Sequence, residues 1–261
     1  MHNGSQIAAE YDVFQASLEA LKKEKKYLNY GFTVSRRQSY EERQEQLCLE
    51  VFEAAGIGKG HTVVDVGFGS GEQDFLLSRT RQFDRLLGFN ISNRQVQYAS
   101  TRARMENLTE RLSFNLGEAE TLPGVRDASV DRIIAIECAF YFDRPRFYRR
   151  AAEVLKPGGL LVAADMSLSD RLAFLTRDGE AMRRFGTQSS NRKEWEKHLA
   201  TRTIRNINRE TRPGAQMTVF KILRTAPFIR EWLSMAWSTQ LIAIGLLTGL
   251  VHYDLIVLEK M

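Results

Sequence analysis

The sequence predicts an α/β fold built on a mostly parallel sheet. Strand-like and helix-like segments alternate between residues 60 and 166, and the first predicted strand runs directly into the glycine-rich loop "DVGFGSG". Alternation of this kind is typical of a parallel sheet that carries helices on both faces. In such a sheet, ligands bind beyond the carboxyl ends of the strands, so we expect the functional residues there.

Short apolar runs bounded by turn residues predict five strands in this region. They are "TVVDVGF", "RLLGFNIS", "LSFNLGEA", "VDRIIAIECAF" and "GLLVAADM". Helices are predicted at 9–26, at 40–55, at "SGEQDFLLSRTR", at 93–107 after the cap signal "SNRQ", and at 144–155. Glycines at 56, 58 and 60 end the helix at 40–55, as expected of residues that favour the ends of helices.

The alternation stops after Met166, where helical and basic segments follow. We therefore predict an N-terminal helical cap at 1–59, a ligand-binding core at 60–166, a substrate-shaping lid at 167–230, and a C-terminal helix with the last strands at 231–261. The twenty residues from Trp232 to Val251 carry no charge, which meets the length criterion for a membrane-spanning helix. Because Gln, Ser, Thr and Gly dilute this stretch, we predict a buried helix that leads into a last strand, with membrane contact as the alternative.

Composition restricts the partners and the compartment. The 261 residues have a net charge of +5, but residues 171–230 contain 14 Lys and Arg against 5 Asp and Glu. A basic surface suits an acidic small molecule, a nucleic acid or an anionic membrane, and a solvated helical face is the simpler explanation. Since no nucleic-acid-binding module accompanies it, we expect no nucleic-acid partner; a homo-oligomer is compatible with the sequence. Two distant cysteines without a signal-like segment predict reducing cytosol, and no residues show metal-ligand spacing.

The glycine loop differs from the loop that binds dinucleotides. That loop requires glycine at its first, third and sixth positions. Gly67 and Gly69 fit, but the sixth position is Glu72 and the third glycine is Gly71. Glu72 and Asp74 at the helix start would repel a pyrophosphate. The loop therefore disfavours NAD and favours an adenosyl group that carries a sulfonium and an amino-acid tail.

Four segments in this order and spacing resemble the motifs of class I S-adenosylmethionine-dependent methyltransferases. They are "DVGFGSG", "GFNIS", "LGEAETLP" and "EVLKPGGLLVAADM". The upstream "YLNYG", the "S-x-x-Q" after the second strand and "ECAFYFDRPRFYRRAAEVL" are similar to the branch that methylates polyketides, terpenoids, sterols and tocopherols. This resemblance implies S-adenosyl-L-methionine as cofactor and a Rossmann-like, seven-stranded sheet with a helical lid after the fifth strand. It also implies methyl transfer to oxygen or carbon of an apolar or amphipathic small molecule.

The resemblance also implies which residues bind the cofactor. Asp65, Gly67, Gly69 and Gly71 take the positions that contact its methionine part. Asn90 replaces the usual acidic contact to the ribose, and Gln95 resembles a second ribose contact. The adenine base is assigned to Ile91, Leu116, Glu118 and Ala119. The aromatic residues Tyr27, Tyr30 and Phe32 take the position of a segment that closes over the cofactor.

Catalysis is harder to predict, because methyl transfer needs a base only when the acceptor must lose a proton. The fourth strand ends in "IECAFYF", which places Glu137 and Tyr141 next to the transferred methyl group and makes Glu137 a candidate for both cofactor binding and catalysis. Tyr141 stands where many relatives have histidine, and His198 in the predicted lid is a further candidate base. The predicted substrate-contacting residues are Phe140, Tyr141, Phe185 and Trp195.

Two alternatives stay open at this point. A phosphorylated or lipid headgroup could be methylated at nitrogen, held by the basic residues Arg183, Arg184, Arg192 and Lys193. The chain could also be a non-catalytic, cofactor-binding interaction module that uses the basic segment to hold a partner.

Overall fold

The computed structural model describes residues 4, 7–9, 11–12, 15–16, 27–172, 184–225 and 230–261. The strands are β1 (Thr62–Val66), β2 (Arg85–Asn90), β3 (Leu112–Leu116), β4 (Val130–Ile136), β5 (Leu155–Leu168), β6 (Ala200–Asn206) and β7 (Val251–Glu259). The helices are α1 (Tyr40–Ala55), α2 (Glu72–Thr80), α3 (Asn93–Met105), α4 (Arg144–Val154), α5 (Gln188–Trp195), α6 (Asn208–Thr225) and α7 (Arg230–Thr248). Residues 7–9, 11–12 and 15–16 are also helical, and most of the helix predicted at 9–26 lies outside the described residues.

The seven strands form one sheet in the order β3-β2-β1-β4-β5-β7-β6. Strands β1 to β5 pair in parallel, whereas β7 runs antiparallel between β5 and β6. The predicted α/β class, seven-stranded and mostly parallel, is therefore confirmed.

Alternating side chains give the sheet two apolar faces. In β1, Val63 joins one hydrophobic core, while Val64 and Val66 join the other. The first core is completed by residues from α1, α2, α3, α6 and α7, and the second by residues from α4 and α5. Helices thus cover both faces, as burial of both sides of a parallel sheet requires.

The sequence of α1 explains both ends of this helix. The Ser39 hydroxyl oxygen accepts a hydrogen bond from the backbone N–H of Glu42, and the Glu42 carboxylate accepts one from the backbone N–H of Ser39. This reciprocal capping satisfies two donors at the start of the helix. The helix ends at Gly56, which adopts a left-handed conformation with φ 55°. The predicted range of 40–55 is confirmed.

The lid predicted at 167–230 needs a correction, because part of it belongs to the sheet. Residues 200–206 form β6, which pairs with β7 and leaves most of its side chains exposed at the sheet edge. The charged, alternating sequence "ATRTIRN" does not predict a strand, because an edge strand buries little apolar surface. Ser167 and Leu168 extend β5, and residues 173–183 and 226–229 lie outside the described ranges.

The uncharged C-terminal stretch forms α7 and then leads into β7, as predicted. Burial of this helix is only partial, because Leu241, Ile244 and Leu247 are 51%, 45% and 60% exposed. Within the described ranges, no helix combines the length and apolarity needed to cross a membrane.

A buried ion pair joins α4 to the end of β5. Arg144 Nη1 lies 2.8 Å from Asp165 Oδ2, and both side chains are more than nine-tenths buried. Arg144 Nη2 donates to the carbonyl oxygens of Met166 and Phe185. Because burying charge is costly, such a pair persists only with good geometry and further hydrogen bonds. The ion pair and these hydrogen bonds therefore fix the position of the segment before α5 relative to the carboxyl end of β5.

Removing one partner of this pair should destabilise the fold. We expect Arg144→Met to lower the free energy of unfolding by about 3–5 kcal/mol, because Asp165 is left as an uncompensated buried charge. The double variant Arg144→Met/Asp165→Leu should recover most of that loss. Urea denaturation followed by circular dichroism measures both. Arg192→Met, which breaks the exposed pair with Glu196, is the control and should cost about 0–1 kcal/mol; an equal cost for Arg144→Met and this control would contradict the assignment.

Candidate active site

A pocket opens where β1, β2 and β4 end. The loop after β1 contributes Gly67, Phe68, Gly69 and Ser70, and α2 contributes Gln73. The end of β2 contributes Asn90 and Ile91, and α3 contributes Gln95. The end of β4 and the turn after it contribute Ile136, Glu137, Cys138, Tyr141 and Phe142. Residues from the N-terminal part of the chain also line the pocket: Ile7, Tyr11, Leu28 and Asn29. The structure thus brings seven predicted site residues together: Gly67, Gly69, Asn90, Ile91, Gln95, Glu137 and Tyr141.

The glycine loop approaches the end of β4 more closely than a side chain would permit. A Cβ on Gly67 would lie 2.7 Å from Cβ of Cys138, and Gly67 has φ 70°. Gly69 has φ 59°, and a Cβ there would lie 3.1 Å from Leu28 Cδ1. Both positions therefore require glycine, and the loop exposes backbone to the pocket.

The end of β2 fixes a side-chain amide. Asn90 accepts a hydrogen bond from Ser92 N at 3.0 Å and donates one to Gln95 Oε1 at 2.8 Å. Gln95 is 1% exposed, and its Nε2 donates to no acceptor in the part of the chain that the structure describes. Asn90 thus orients Gln95, and the donor left for a ligand is Gln95 Nε2.

The predicted methionine end is polar and buried. Asp65 lies directly behind the pocket, fully buried, and accepts a hydrogen bond from Gln73 Nε2 at 3.1 Å. Asp65 Oδ1 and Asn29 Oδ1 accept no hydrogen bond from the described residues. Buried polar atoms are nearly always paired, so these acceptors and Gln95 Nε2 indicate groups that a ligand satisfies. Ammonium and hydroxyl groups would do so, and the residues present therefore fit an adenosyl cofactor with an amino-acid tail.

Glu137 is held in an unusual conformation at the end of β4. Its φ is 53°, and its Oε1 accepts hydrogen bonds from Tyr30 N at 2.6 Å and from Tyr253 OH at 2.7 Å. Burial raises the pKa of the Glu137 carboxyl to about 7; the two hydrogen bonds oppose this rise, and the nearby charge of Asp165 adds to it. Glu137 is thus a carboxylate that can gain or lose a proton near neutral pH.

An aromatic cluster forms one wall beside Glu137. The ring of Phe140 lies 4.6 Å from that of Tyr141 and 5.2 Å from that of Phe185. Tyr11 meets Tyr141 edge-on at 5.8 Å, and the guanidinium of Arg184 lies 4.2 Å above the Tyr141 ring. Tyr11 and Tyr141 line the pocket, whereas the predicted substrate contacts Phe140 and Phe185 pack behind Tyr141 without lining it.

Two predicted site residues lie elsewhere, which corrects the sequence-based assignment. Trp195 is buried on the opposite face of the sheet, where its Nε1 donates to Thr201 Oγ1 at 2.8 Å and its ring meets Tyr148. His198 lies in the turn after α5, and its backbone bonds to Trp195. Neither lines the pocket, because α5 packs against the second core rather than over the site.

Other predicted cofactor contacts stand around the pocket without lining it. Tyr27 packs into the core with its hydroxyl 3.3 Å from Glu45 Oε1, and Tyr30 contributes its backbone N–H to Glu137. Gly71 serves helix packing, since a Cβ there would lie 3.2 Å from Cβ of Ala99. Phe32 is buried in the core.

The residues assigned to the adenine base lie beyond the end of β3. Leu116 is 56% exposed, Glu118 is exposed and Ala119 is buried. Gly117 connects this segment to the pocket, because its N–H donates a hydrogen bond to the carbonyl oxygen of Asn90 at 3.0 Å.

The site also contains residues that the sequence reasoning did not assign. Leu28 and Asn29 belong to the "YLNYG" motif, so their proximity could have been predicted from it. The sequence does not indicate a role for Tyr253, because this residue is 116 positions from Glu137 and their contact depends on the pairing of β5 with β7.

Of the four basic residues predicted to hold a phosphate, Arg192 and Lys193 do not line the pocket, whereas Arg184 stacks on Tyr141 beside it. Arg192 pairs with Glu196 at 2.7 Å, Lys193 is exposed, and Arg183 lies outside the described residues. Arg192 lines a second, larger cavity of about 260 Å³, against about 90 Å³ for the pocket described above. That cavity lies between α5 and the sheet edge, away from the glycine loop.

Comparison with known proteins identifies this architecture. Residues 64–163 match the model of a methyltransferase domain. The chain is 38% identical to erythromycin 3''-O-methyltransferase of Saccharopolyspora erythraea over 62% of its own length and 53% of that protein. It is 31% identical to 27-O-demethylrifamycin SV methyltransferase of Amycolatopsis mediterranei over 70% of its own length and 66% of that protein. The chain thus spans about half to two thirds of the length of these relatives.

Solved structures show the same fold at low sequence identity. The [4+2]-cyclase SpnF superposes with a TM-score of 0.86 at 19% identity, covering 98% of this chain and 96% of that one. Geranyl diphosphate C-methyltransferase from Streptomyces coelicolor A3(2), solved with S-adenosyl-L-homocysteine, gives a TM-score of 0.77 at 16% identity, covering 100% and 99%. The match over residues 64–163 shows that this part of the chain is an S-adenosylmethionine-dependent methyltransferase domain, and the solved structures show the fold of the chain.

Proposed function

We propose that this protein transfers a methyl group from S-adenosylmethionine to a hydroxyl oxygen of an apolar or amphipathic small molecule. The observation that carries the proposal is Glu137, a buried carboxylate that lines the pocket and has a pKa of about 7. A group of this kind is suited to general-base catalysis near neutral pH. The names of the two relatives, an O-methyltransferase and a methyltransferase of an O-demethylated compound, support oxygen as the acceptor atom.

We assign Glu137 a role toward the methyl acceptor, not toward the methyl donor. When bound, the cofactor supplies the methyl group and leaves as S-adenosylhomocysteine. The ionised Glu137 accepts the hydroxyl proton as the new O–C bond forms, so the product ether is neutral and the proton remains on the carboxyl group until it exchanges with solvent. Gly67 and Gly69 admit the amino-acid end of the cofactor, and Gln95 Nε2 donates to a ribose hydroxyl.

Recognition of the acceptor falls to the aromatic wall. Tyr141 lines the pocket together with Glu137, and Phe140 and Phe185 pack behind it. This arrangement favours an apolar acceptor over a phosphorylated one, since Arg192 is paired elsewhere and Arg184 stacks on the rings. Buried aromatic residues also exclude water, which strengthens the interactions of Glu137 with the acceptor hydroxyl.

The ribose contact can be tested by binding alone. We expect Gln95→Leu to weaken S-adenosylhomocysteine binding by about 1–2 kcal/mol, which corresponds to losing one or two net hydrogen bonds. Isothermal titration calorimetry measures the affinity. Gln97→Leu, on the exposed side of the same helix, is the matched control and should bind normally. Unchanged affinity in Gln95→Leu would place the ribose elsewhere.

The base can be tested by an isosteric change. Glu137→Gln should lower kcat by roughly 10²–10⁴, the range found for general bases, while S-adenosylhomocysteine affinity stays within about threefold. In the unaltered protein, kcat should fall tenfold per pH unit below a pH near 7, because the protonated carboxyl cannot accept the hydroxyl proton. The variant should lack this dependence. Glu110→Gln, at an exposed position, is the control, and normal turnover by Glu137→Gln would remove this residue from the mechanism.

Tyr253 tests how Glu137 is positioned. Because the hydroxyl of Tyr253 stabilises the ionised form of Glu137, Tyr253→Phe should move the acid limb of the kcat profile to higher pH by about one unit. Turnover should recover as the pH rises past that limb. Tyr148→Phe is the matched control, since Tyr148 is equally buried but lies on the other face of the sheet. An unshifted limb would mean that Tyr253 serves packing alone.

A further inference from the structure

The second cavity lies between α5 and the face of the sheet that carries the second hydrophobic core. Asp165 on β5 stands directly opposite Asp254 on β7, and Ile256, two residues further along β7, belongs to the second core. Side chains alternate along a strand, so Tyr253 points to the other face, where its hydroxyl contacts Glu137. This cavity of about 260 Å³, which we call the α5 cavity, therefore lies on the opposite face of β7 from Glu137.

Two carboxylates stand side by side in the sheet wall of the α5 cavity. Residues directly opposite in an antiparallel pair have Cβ atoms about 4.5–5.5 Å apart, and like charges there are destabilising. Arg144 lies 2.8 Å from Asp165 and neutralises it. Asp254 is 4% exposed and accepts hydrogen bonds at 2.8 Å from the side-chain amides of Gln188 and Asn206, but it forms no ion pair with any described residue. One negative charge in this wall therefore has no cation.

The same wall has an unused hydrogen-bond acceptor. Asp165 lines the cavity and is 3% exposed. Its Oδ2 contacts Arg144, whereas its Oδ1 accepts no hydrogen bond from the described residues. Buried polar atoms are nearly always paired. Because Asp165 is opposite Asp254, a ligand group that is both a hydrogen-bond donor and a cation would satisfy the acceptor and compensate the charge together.

The rest of the cavity suits the apolar body of such a ligand. Trp195, Ile204 and Ile256 line it. Among aromatic rings, the indole of tryptophan attracts a cation most strongly. The volume of about 260 Å³ is close to the lower end, about 300 Å³, of small-molecule sites. The α5 cavity therefore has room for a small organic molecule.

The rim of the cavity does not neutralise the wall. Asp170 is exposed there, and its Oδ1 accepts hydrogen bonds from the backbone N–H and the hydroxyl of Ser189 at 3.2 Å and 2.6 Å. Arg192 also lines the cavity, but its side chain is 55% exposed and its Nε pairs with Glu196 Oε1 at 2.7 Å. The described lining residues thus include three carboxylates and one arginine that is already paired.

We propose that the α5 cavity binds a small protonated amine, whose N–H group donates to Asp165 Oδ1 and whose charge compensates Asp254. A quaternary ammonium does not fit, because it has no hydrogen to donate. A metal ion does not fit either, since no three His, Cys, Asp or Glu residues in the described ranges are grouped to hold one. This site goes beyond the proposed function and uses neither the cofactor nor Glu137.

Three probes of similar shape separate the charge from the hydrogen bond. Cyclohexylamine is protonated at pH 7, like the amine of lysine. Cyclohexanol has no charge, and N,N,N-trimethylcyclohexylammonium has the charge but no N–H. We expect cyclohexylamine to bind with a Kd on the order of 1 mM, as suits so small a ligand. Both other probes should bind at least about tenfold more weakly, because hydrogen bonds between charged groups are the strong ones.

The indole N–H of Trp195 reports binding inside the cavity. Its proton–nitrogen NMR resonance is the one that disappears in Trp195→Phe, and titration with cyclohexylamine should shift it saturably. Asp254→Asn keeps the size of the side chain and removes the charge, so it should weaken cyclohexylamine by about tenfold or more and leave cyclohexanol unchanged. Asp127→Asn, which removes an equal charge from an exposed loop, is the matched control and should bind cyclohexylamine normally.

Each result supports or overturns the amine site. Absence of a saturable shift at about ten times the expected Kd would overturn it. Equal binding of cyclohexanol would show an apolar, water-filled cavity only, and normal binding of cyclohexylamine by Asp254→Asn would place the cation elsewhere. S-adenosylhomocysteine binding by Asp254→Asn, measured by calorimetry, should stay normal and shows that the variant is folded. Because the amine titration involves neither cofactor nor methyl acceptor, failure of the proposed function would leave its outcome unchanged.

Discussion

The backbone that follows β1 and the backbone that follows β4 lie closer together than any side chain on the loop would allow. Gly67 stands against Cβ of Cys138 and is tied to β2 by a 2.8 Å hydrogen bond from its N–H to the carbonyl of Phe89. Because β2, β1 and β4 are adjacent and parallel, this close approach gathers their carboxyl ends around one cavity. The positions of Asn90 and Glu137 in the pocket follow from that arrangement, as does the space left for a ligand.

Three neighbouring strands each place a buried carboxylate near this edge, and each charge is compensated differently. Asp165 on β5 is paired with Arg144, which makes it structural. Glu137 accepts two hydrogen bonds and has no ion-pair partner among the described residues, and burial raises its pKa to about 7. Asp65 accepts a hydrogen bond from Gln73 and likewise forms no ion pair within the described ranges. The degree of compensation thus separates a residue that holds the fold from residues able to respond to a ligand or a proton.

Local sequence predicts those parts of the structure that depend on local physics. The range of α1 follows from its cap and from its glycine stop, and the five parallel strands follow from buried apolar runs. Contacts between distant segments do not follow in this way. Tyr253 lies next to Glu137 because β7 pairs antiparallel with β5. The sequence assigned Trp195 to the substrate, since its position after β5 does not indicate which face of the sheet α5 covers. β6 escaped prediction because an edge strand lacks a buried face.

The basic residues between 171 and 230 also show that the sequence predicts a charge but not the contacts that the charge makes. Arg202 and Arg205 of the edge strand β6 pair with Glu259 and Glu50 at 2.6 Å and 2.5 Å. Charged side chains on an edge strand discourage further strand pairing, so these residues have a role that needs no anionic ligand. Arg184 differs, because its guanidinium lies over Tyr141 beside the pocket. A cation over an aromatic ring is attracted to it electrostatically, so the contact with Tyr141 gives the charge of Arg184 a role that needs no anionic ligand.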